Sequence, residues 1–424
     1  MVGALVPVFF ALLLFGLPIF ASLALAVTAI LYFSTPIDPL VVPMRMFSGM
    51  NNFSLMSIPF FILAAELMRI GGLSDRLIGL ARSLIGWLPG GLAAATVVAC
   101  LMFGSISGSS PATVIAIGTI MYPAMVKAGY DKYFAIGLIT TSGTLGPIVP
   151  PSIALIIYGS VTGTSVGRLF AAGLLPALMI GSMLILYASW YSARKGYPRD
   201  AFPTIASIGA AFKRAAWGLG LPIVLLGGIY SGVFTPTESA AAACLYGWIV
   251  GAIIYRTISL RDTMIILRNT GLLAGPLLLI TAGASSFSWL LANTGAPAQL
   301  ASSILSSTDN PIIIVALFNV ILLVAGCFLD SASAIIILAP LMQPIAAQVG
   351  VDPIHFGIIM LINLSVGMLT PPVGLNLFVA MGIAKMSLFE IFRAALPTII
   401  LMLIALILIS YIPAISTILP SIMY

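Results

Sequence analysis

Two pairs of segments in this sequence combine small hydroxyl-bearing residues with proline pairs. SISGSS (105–110) precedes GPIVPPS (146–152), and GCFLDS (326–331) precedes LTPPV (369–373). A proline in a helix interior removes a backbone donor and costs about 3 kcal/mol, so each proline pair predicts an interrupted helix. The carbonyl oxygens freed there, together with the hydroxyls, are ligands of the kind that hard cations prefer. The pattern therefore predicts two equivalent cation sites, and a neutral cage suits a monovalent ion such as Na⁺.

Polar side chains in and beside these segments are the candidate contacts for a substrate. They are Ser109, Ser110, Thr141, Ser142, Asp330, Ser331 and Asn363. A helix begins at each polar tip, and its N-terminus carries about half a positive charge, which favours an anion. Because no basic residue lies in the core of either pair of segments, we expect a carboxylate to be held by helix dipoles, hydroxyls and nearby Na⁺.

Asp330 is the one acidic residue placed near mid-membrane by this pattern. A carboxylate at that depth costs ~3 kcal/mol or more and by default marks function. It could bind an ion, carry a proton or contact a polar substrate group, so a proton-coupled carrier or efflux pump is the alternative to Na⁺ coupling. A channel is a further alternative. An intramembrane protease would need two apposed aspartates or a well-placed base, and we expect no enzyme activity.

Two other polar residues are assigned structural roles. Glu66 lies near the end of a predicted span and is expected to pair with Arg69, one helical turn away. His355 is the only histidine, and we expect it to be a solvated residue at the end of a span.

The composition places all of these segments in a membrane. Hydrophobic residues make up 61% of the 424 residues and charged residues only 7%, against about 25% in soluble domains. The sequence therefore predicts an all-α polytopic membrane protein that contacts the lipid bilayer and binds no nucleic acid. The three cysteines have neither disulfide nor metal spacing, and no organic cofactor is expected.

Apolar runs of about 20 residues or more predict nine crossings. They cover 4–33, 52–72, 131–163, 166–193, 217–232, 237–255, 270–293, 353–384 and 389–412. With these crossings in order, every basic residue except Arg45 and Arg168 falls on one side, which the positive-inside rule makes cytoplasmic. The N-terminus is then cytoplasmic and the C-terminus is outside.

Local signals predict three further features. RLIGLARSLIGWL (76–88) reads as an amphipathic helix in the membrane interface, and LRDTMIILRNTG (260–271) looks like its counterpart. If the two halves of the chain are inverted, however, the counterpart should lie on the other side of the membrane, and 297–310 is then the better match. TPTE (235–238) fits a capping box that begins a helix.

The sequence contains an internal repeat. Residues 109–152 align with residues 330–373 without a gap, and the proline pairs coincide. Three predicted crossings separate the two units, so the second unit is inverted, which is typical of secondary transporters. The predicted organisation is an N-terminal scaffold (1–51), repeat 1 (52–163, with hairpin 89–126 and broken helix 131–163), connecting scaffold helices (164–269), repeat 2 (270–384, with hairpin 311–348 and broken helix 353–384) and a C-terminal span (385–424).

The hairpins are predicted to be re-entrant. The arms of the first, 89–104 and 111–126, are short for a full crossing. Because the units are inverted, one hairpin enters from each side of the membrane, and their polar tips should converge near its middle.

The sequence resembles the large membrane subunit of tripartite ATP-independent periplasmic (TRAP) transporters. The resemblance rests on GVFTPTESAA (232–241), GSISGSSPATVIAIG (104–118), GPIVPPS (146–152) and LTPPVGLNLF (369–378). It implies an elevator-type fold like that of other ion-transporter-superfamily carriers, in a bacterial inner membrane, and coupling to Na⁺. It also implies a small four-helix membrane partner and a periplasmic binding protein that delivers an organic acid such as a C4-dicarboxylate or a sialic acid.

The resemblance also assigns Na⁺ ligands. One site falls on Ser105, Ser107, Ser109, Gly146 and Val149, and the other falls on Gly326, Gly367 and Thr370, with Asp330 nearby.

Overall fold

In the computed structural model, the described part of the chain is residues 2–295, 299, 302, 308 and 310–424, and it consists of helices and short connections without a strand. The first half contains α1 (Val2–Leu14), α2 (Ile19–Ser34), α3 (Val41–Met50), α4 (Ser57–Ile70), α5 (Leu73–Ile85), α6 (Gly91–Ser107), α7 (Ser110–Lys127), α8 (Lys132–Ser142), α9 (Leu145–Ile148) and α10 (Ile153–Thr162). The second half contains α11 (Val166–Lys195), α12 (Ile205–Tyr230), α13 (Pro236–Ile249), α14 (Leu260–Asn293), α15 (Pro311–Phe328), α16 (Ser331–Gln348), α17 (Pro353–Gly367), α18 (Leu375–Ala384), α19 (Leu388–Tyr411) and α20 (Ala414–Met423).

The all-helical membrane architecture predicted from the composition is confirmed. Among the described residues, seven helices are long and apolar enough to cross a membrane, or up to nine if each of two bent helix pairs counts as one span. The bent pairs are α4 with α5, at 75°, and α8–α9 with α10, at 41°.

Several predicted spans have different bounds in the structure. The span predicted at 217–232 is part of α12, which begins twelve residues earlier, at Ile205. The run 4–33 is divided into α1 and α2, because Gly16 takes a left-handed φ of 85° and Pro18 precedes α2. The segment 260–271 is not a separate interfacial helix but the first part of α14, which a Ser259–Asp262 capping box begins. The predicted boundary between the connecting scaffold helices and repeat 2, at 269–270, therefore lies inside α14. The alternative counterpart at 297–310 falls largely outside the described residues.

The bend between α4 and α5 is held by Arg76. Its Nη1 donates hydrogen bonds to the carbonyl oxygens of Gly71 and Gly72, at 3.3 and 2.8 Å, at the end of α4. α5 buries one apolar face, as the amphipathic pattern predicts. On its other face Arg82 forms a bidentate ion pair with Asp200, and these hydrogen bonds lower the pKa of the Asp200 carboxyl.

The predicted capping box at Thr235 is confirmed and begins α13. The Glu238 carboxylate accepts from the Thr235 backbone N–H at 2.8 Å, and the Thr235 hydroxyl accepts from the Glu238 N–H at 3.3 Å. α13 then packs on α4, where Cys244 Sγ donates to the Phe60 carbonyl at 2.9 Å. α13, α4 and α14 are thereby packed into one group of helices.

Two helical hairpins, α6–α7 and α15–α16, contain the polar tips. Only Gly108–Ser109 and Leu329–Asp330 separate their helices, so the tips are shorter than the six-residue segments read from the sequence. Gly108 has a left-handed φ of 58°, which reverses the chain within these two residues. The arms are correspondingly longer than predicted, with 17 residues in α6 and 18 in α7.

Both proline pairs interrupt helices, as predicted. The first break separates α9 from α10, and the second separates α17 from α18. The Pro150–Pro151 and Pro371–Pro372 peptide bonds are both cis. Ser152 is the N-cap of α10, and its hydroxyl accepts from the Leu155 N–H at 3.2 Å.

His355 differs from its predicted role. It is 3% exposed, and its Nδ1 lies 2.6 Å from the Ser416 hydroxyl. The prediction of a solvated residue is wrong because the C-terminal helix α20 packs over α17 at this position.

Candidate functional site

A cavity of about 670 Å³ lies between the two hairpin tips. One wall is formed by the tips and the ends of the broken helices, including Ser107–Pro111, Asp330–Ala332 and Met368. The facing wall is formed by α4 and α14, with Glu66, Arg69 and Asn269 as its polar residues. The two tips therefore converge on one cavity, as the sequence predicts.

Four of the seven residues predicted to bind substrate line this cavity. They are Ser109, Ser110, Asp330 and Ser331. Ser110 is held in place by Asn376, whose Nδ2 donates to the Ser110 hydroxyl at 2.6 Å. Since Asn376 belongs to α18, this bond ties the first tip to the helix that follows the second break.

The other three predicted residues face neighbouring helices. The Thr141 hydroxyl lies 2.7 Å from the Thr398 hydroxyl of α19. Asn363 Nδ2 donates to Asn319 Oδ1 of α15 at 2.8 Å, and the buried Ser142 hydroxyl has no hydrogen-bond partner among the described residues. These side chains lie on the faces of α8 and α17 that pack inside the protein, so the structure places them away from the cavity.

Asp330 is the N-cap of α16. Its carboxylate accepts from the backbone N–H groups of Ala332 and Ser333, at 3.0 and 3.2 Å, and from the Ser333 hydroxyl. Hydrogen bonds of this kind satisfy orphan donors of the first helical turn. A capping role thus accounts for the acidic residue, while its position on the cavity keeps the carboxylate within reach of a bound molecule.

Oxygen atoms cluster beneath the first tip. The Ser107 and Thr113 hydroxyls lie 2.9 Å apart, and the Thr113 hydroxyl donates to the Ser109 carbonyl at 2.8 Å. Gly146 packs directly against this cluster, since a Cβ added there would lie 2.6 Å from both the Ser109 carbonyl oxygen and Thr113 Oγ1. By contrast, the Ser105 hydroxyl donates to the Met102 carbonyl of its own helix at 2.7 Å. Of the predicted ligands, Ser107, Ser109 and Gly146 are thus brought together.

The second tip repeats the close approach. A Cβ added at Gly326 would lie 3.0 Å from Gly367 Cα, just as one at Gly104 would lie 2.9 Å from Gly146 Cα. The Thr370 hydroxyl donates to the Val366 carbonyl at 3.3 Å. Within the described ranges, no three His, Cys, Asp or Glu side chains lie close enough together to hold a metal ion.

Several residues of the site were missed from the sequence. Arg69 lines the cavity, although no basic residue was expected near the substrate, and Asn269 lies on the same wall. Thr113 and Asn376 complete the surroundings of the first tip. The position of Arg69 at the end of an apolar span could have marked it as a cavity residue. It was missed because the expected ion pair with Glu66 already explained its presence.

The apolar helices define this protein as a polytopic membrane protein, with a cavity between two hairpin tips. Residues 6–415 match the family described as tripartite ATP-independent periplasmic transporter, DctM component. The chain belongs to this family, as the sequence motifs indicate.

Full-length relatives are named as permeases. The chain is 41% identical over 428 residues to the C4-dicarboxylate TRAP transporter large permease protein DctM of Rhodobacter capsulatus, with 97% of each chain covered. It is 34% identical to the sialic acid TRAP transporter large permease protein SiaM of Vibrio cholerae, with 96% of each covered. The structure of the YdaH transporter of Alcanivorax borkumensis superposes with a TM-score of 0.65 at 16% identity, covering 92% of this chain and 96% of that chain. This last likeness concerns the fold alone.

Proposed function

We propose that this chain is the large permease of a Na⁺-coupled carrier that imports an organic acid across a bacterial inner membrane. The observation that carries the proposal is the cavity shared by both hairpin tips, with an oxygen cluster where the first tip packs on its broken helix. A periplasmic binding protein would deliver the acid, and a small four-helix membrane subunit would complete the transporter. The acid is a C4-dicarboxylate, a sialic acid or a similar carboxylate, by analogy with the relatives' substrates.

Equivalent contacts in the two halves support an internal repeat. Asp131 caps α8 by accepting from the second and third N–H groups of its helix start, and Asp352 caps α17 in the same way. The Gly104–Gly146 and Gly326–Gly367 approaches are likewise equivalent. Each hairpin thus packs on its own broken helix. In an elevator these parts would move as one body against the group that contains α4, α13 and α14.

The cavity suits an anion. α7 begins at Ser110, on the cavity wall, and its N-terminal N–H groups favour negative charge, whereas the start of α16 is already capped by the Asp330 carboxylate. Na⁺ bound at the neighbouring breaks would add to this attraction. The distribution of basic residues along the sequence supports a cytoplasmic N-terminus and a periplasmic C-terminus.

A ligand screen of the cognate periplasmic binding protein tests the substrate class. Succinate, malate, fumarate and N-acetylneuraminate would be titrated by calorimetry, followed by uptake of the acid that binds into proteoliposomes containing the complete transporter. We expect one carboxylate to bind and to be taken up only when the binding protein is present. Uptake that proceeds equally without the binding protein would contradict the tripartite mechanism.

Asp330→Asn separates Na⁺ coupling from the alternative of a proton carrier or efflux pump. The asparagine amide oxygen retains the ability to cap α16 but cannot carry a proton. We expect Na⁺-driven uptake within about threefold of wild type and a stability change of about 1 kcal/mol or less. The measurement is initial uptake with a Na⁺ gradient and with a pH gradient. Wild-type uptake that follows the pH gradient, together with its loss in a variant that folds normally, would favour the proton-coupled alternative.

A further inference from the structure

An ion pair lies on the cavity wall that faces the hairpin tips. Arg69 Nε donates to Glu66 Oε1 at 3.1 Å, and Arg69 Nη2 donates to Glu66 Oε2 at 2.8 Å. Both residues belong to α4 and both line the cavity. The Arg69 side chain is 40% exposed and that of Glu66 is 15% exposed, so the guanidinium is the more accessible partner.

The pairing leaves part of the guanidinium available. Arginine has five N–H donors in a planar fork, and the bidentate contact with Glu66 uses one from Nε and one from Nη2. Nη1 and the second Nη2 hydrogen have no hydrogen-bond partner in the structure as described. These two groups form the remaining edge of the fork, whose geometry matches a second carboxylate.

Arg69 is also distinct within the cavity. No other lysine or arginine occurs among the residues that line it in the described chain. Glu66 neutralises the guanidinium while the cavity is empty, which removes the cost of an uncompensated charge beside apolar side chains such as Leu272 and Leu273. An entering carboxylate would therefore meet a cation that is already oriented by its partner.

We propose that Arg69 binds a carboxylate of the transported acid from the wall opposite the hairpin tips, with Glu66 as the residue that positions it. This assignment rests on the proposed function and deepens it. The substrate is an anion held between a guanidinium on α4 and the helix N-terminus of α7. If α4 stays fixed while the tips move, the contact with Arg69 forms only when the tips face it.

A binding measurement tests the assignment. The complete two-subunit membrane complex in nanodiscs is titrated with succinate and with N-acetylneuraminate at saturating Na⁺. Arg69→Gln, which removes the charge, should weaken the Kd of the acid that binds by about tenfold, as expected for loss of a charged hydrogen-bonded contact. Arg69→Lys should restore only part of the affinity because lysine lacks the fork. Glu66→Gln should weaken the affinity less than Arg69→Gln does, because the glutamine amide oxygen can still accept one hydrogen bond from Arg69 and orient the fork.

Arg82→Gln is the matched control. Arg82 forms the same kind of bidentate pair, with Asp200, but does not line the cavity. Its replacement should leave the Kd unchanged, and the unfolding temperature of each variant reports on folding.

The outcomes distinguish failure of the Arg69 assignment from failure of the proposed function. An unchanged Kd in a folded Arg69→Gln complex, or equal weakening in Arg82→Gln, would overturn the role of Arg69 and leave the proposed function standing. If the wild type binds neither acid, the proposed substrate class is contradicted, and the assignment of Arg69 falls with it.

Discussion

Replacing Na⁺ with choline at constant ionic strength should reduce organic-acid uptake to the level of liposomes without protein. The reason is that the proposed ion sites are built from oxygen atoms. The C-terminal carbonyls of α6 and α15 carry partial negative charge of about half a unit at the helix end. At the first tip, Ser107, Thr113 and the Ser109 carbonyl lie within hydrogen-bonding distance of one another. Choline is too large to enter such a cluster.

The measurement is the initial rate of uptake into proteoliposomes, with the membrane potential clamped and the cognate binding protein present. Two serine variants test whether the hydroxyl cluster at the first tip binds the ion. Ser107→Ala should raise the Na⁺ concentration needed for half-maximal uptake by about tenfold, as expected when a contact worth about 1.4 kcal/mol is lost. Ser105→Ala should change it little, because the Ser105 hydroxyl is engaged by the Met102 carbonyl of its own helix.

Full uptake in choline would contradict the ion sites. Uptake that instead followed an inward pH gradient would support proton coupling through Asp330. If Ser107→Ala and Ser105→Ala changed the Na⁺ requirement equally, membership of the hydroxyl cluster would not identify Ser107 as a Na⁺ ligand.

Gly367→Ala should disable the transporter. A Cβ at this position would lie 2.5 and 2.6 Å from the Cα and carbonyl carbon of Gly326, which are backbone atoms that cannot rotate away. The second hairpin would have to separate from the broken helix that it covers. We expect a loss of about 2 kcal/mol in the free energy of unfolding, typical of overpacking, and uptake reduced by at least tenfold, since ~1.4 kcal/mol corresponds to a factor of ten.

Gly227→Ala in α12 is the control for this substitution. A Cβ there meets no atom within 4 Å, and alanine is the better helix former by roughly 1 kcal/mol. The control should therefore unfold at the same or a higher temperature and transport normally. Thermal unfolding in detergent and uptake in proteoliposomes measure both variants. A Gly367→Ala protein with wild-type unfolding and uptake would show that the Gly326–Gly367 contact is dispensable.

Breaks and caps were the parts of the fold most accessible from the sequence. Two proline pairs predicted two interruptions, and Thr235 with Glu238 predicted a helix start, because these effects depend on residues within a few positions of one another. The division of 4–33 was missed because hydropathy alone does not distinguish one long helix from two short ones. Gly16 and Pro18 held the local signal that an apolar run obscured.

The candidate site was predictable to the extent that it lies on the repeated segments. Ser109, Ser110, Asp330 and Ser331 were named from the tips, and they do share a cavity. Thr141 and Asn363 were named by the same logic of position, yet they face α19 and α15. Which face of a helix meets a cavity depends on the rotation of that helix against its neighbours, and in helices that are apolar on every side the sequence does not encode that rotation.

The sequence by itself determined the membrane environment, the two proline breaks and the polar tips. Each follows from composition or from local backbone chemistry, in which the residues concerned are neighbours along the chain. Only the tertiary structure decided that both tips open onto one cavity, that α14 runs unbroken, and that Arg69 faces the tips. These features depend on contacts between residues far apart in sequence, and such contacts are set by how whole helices pack.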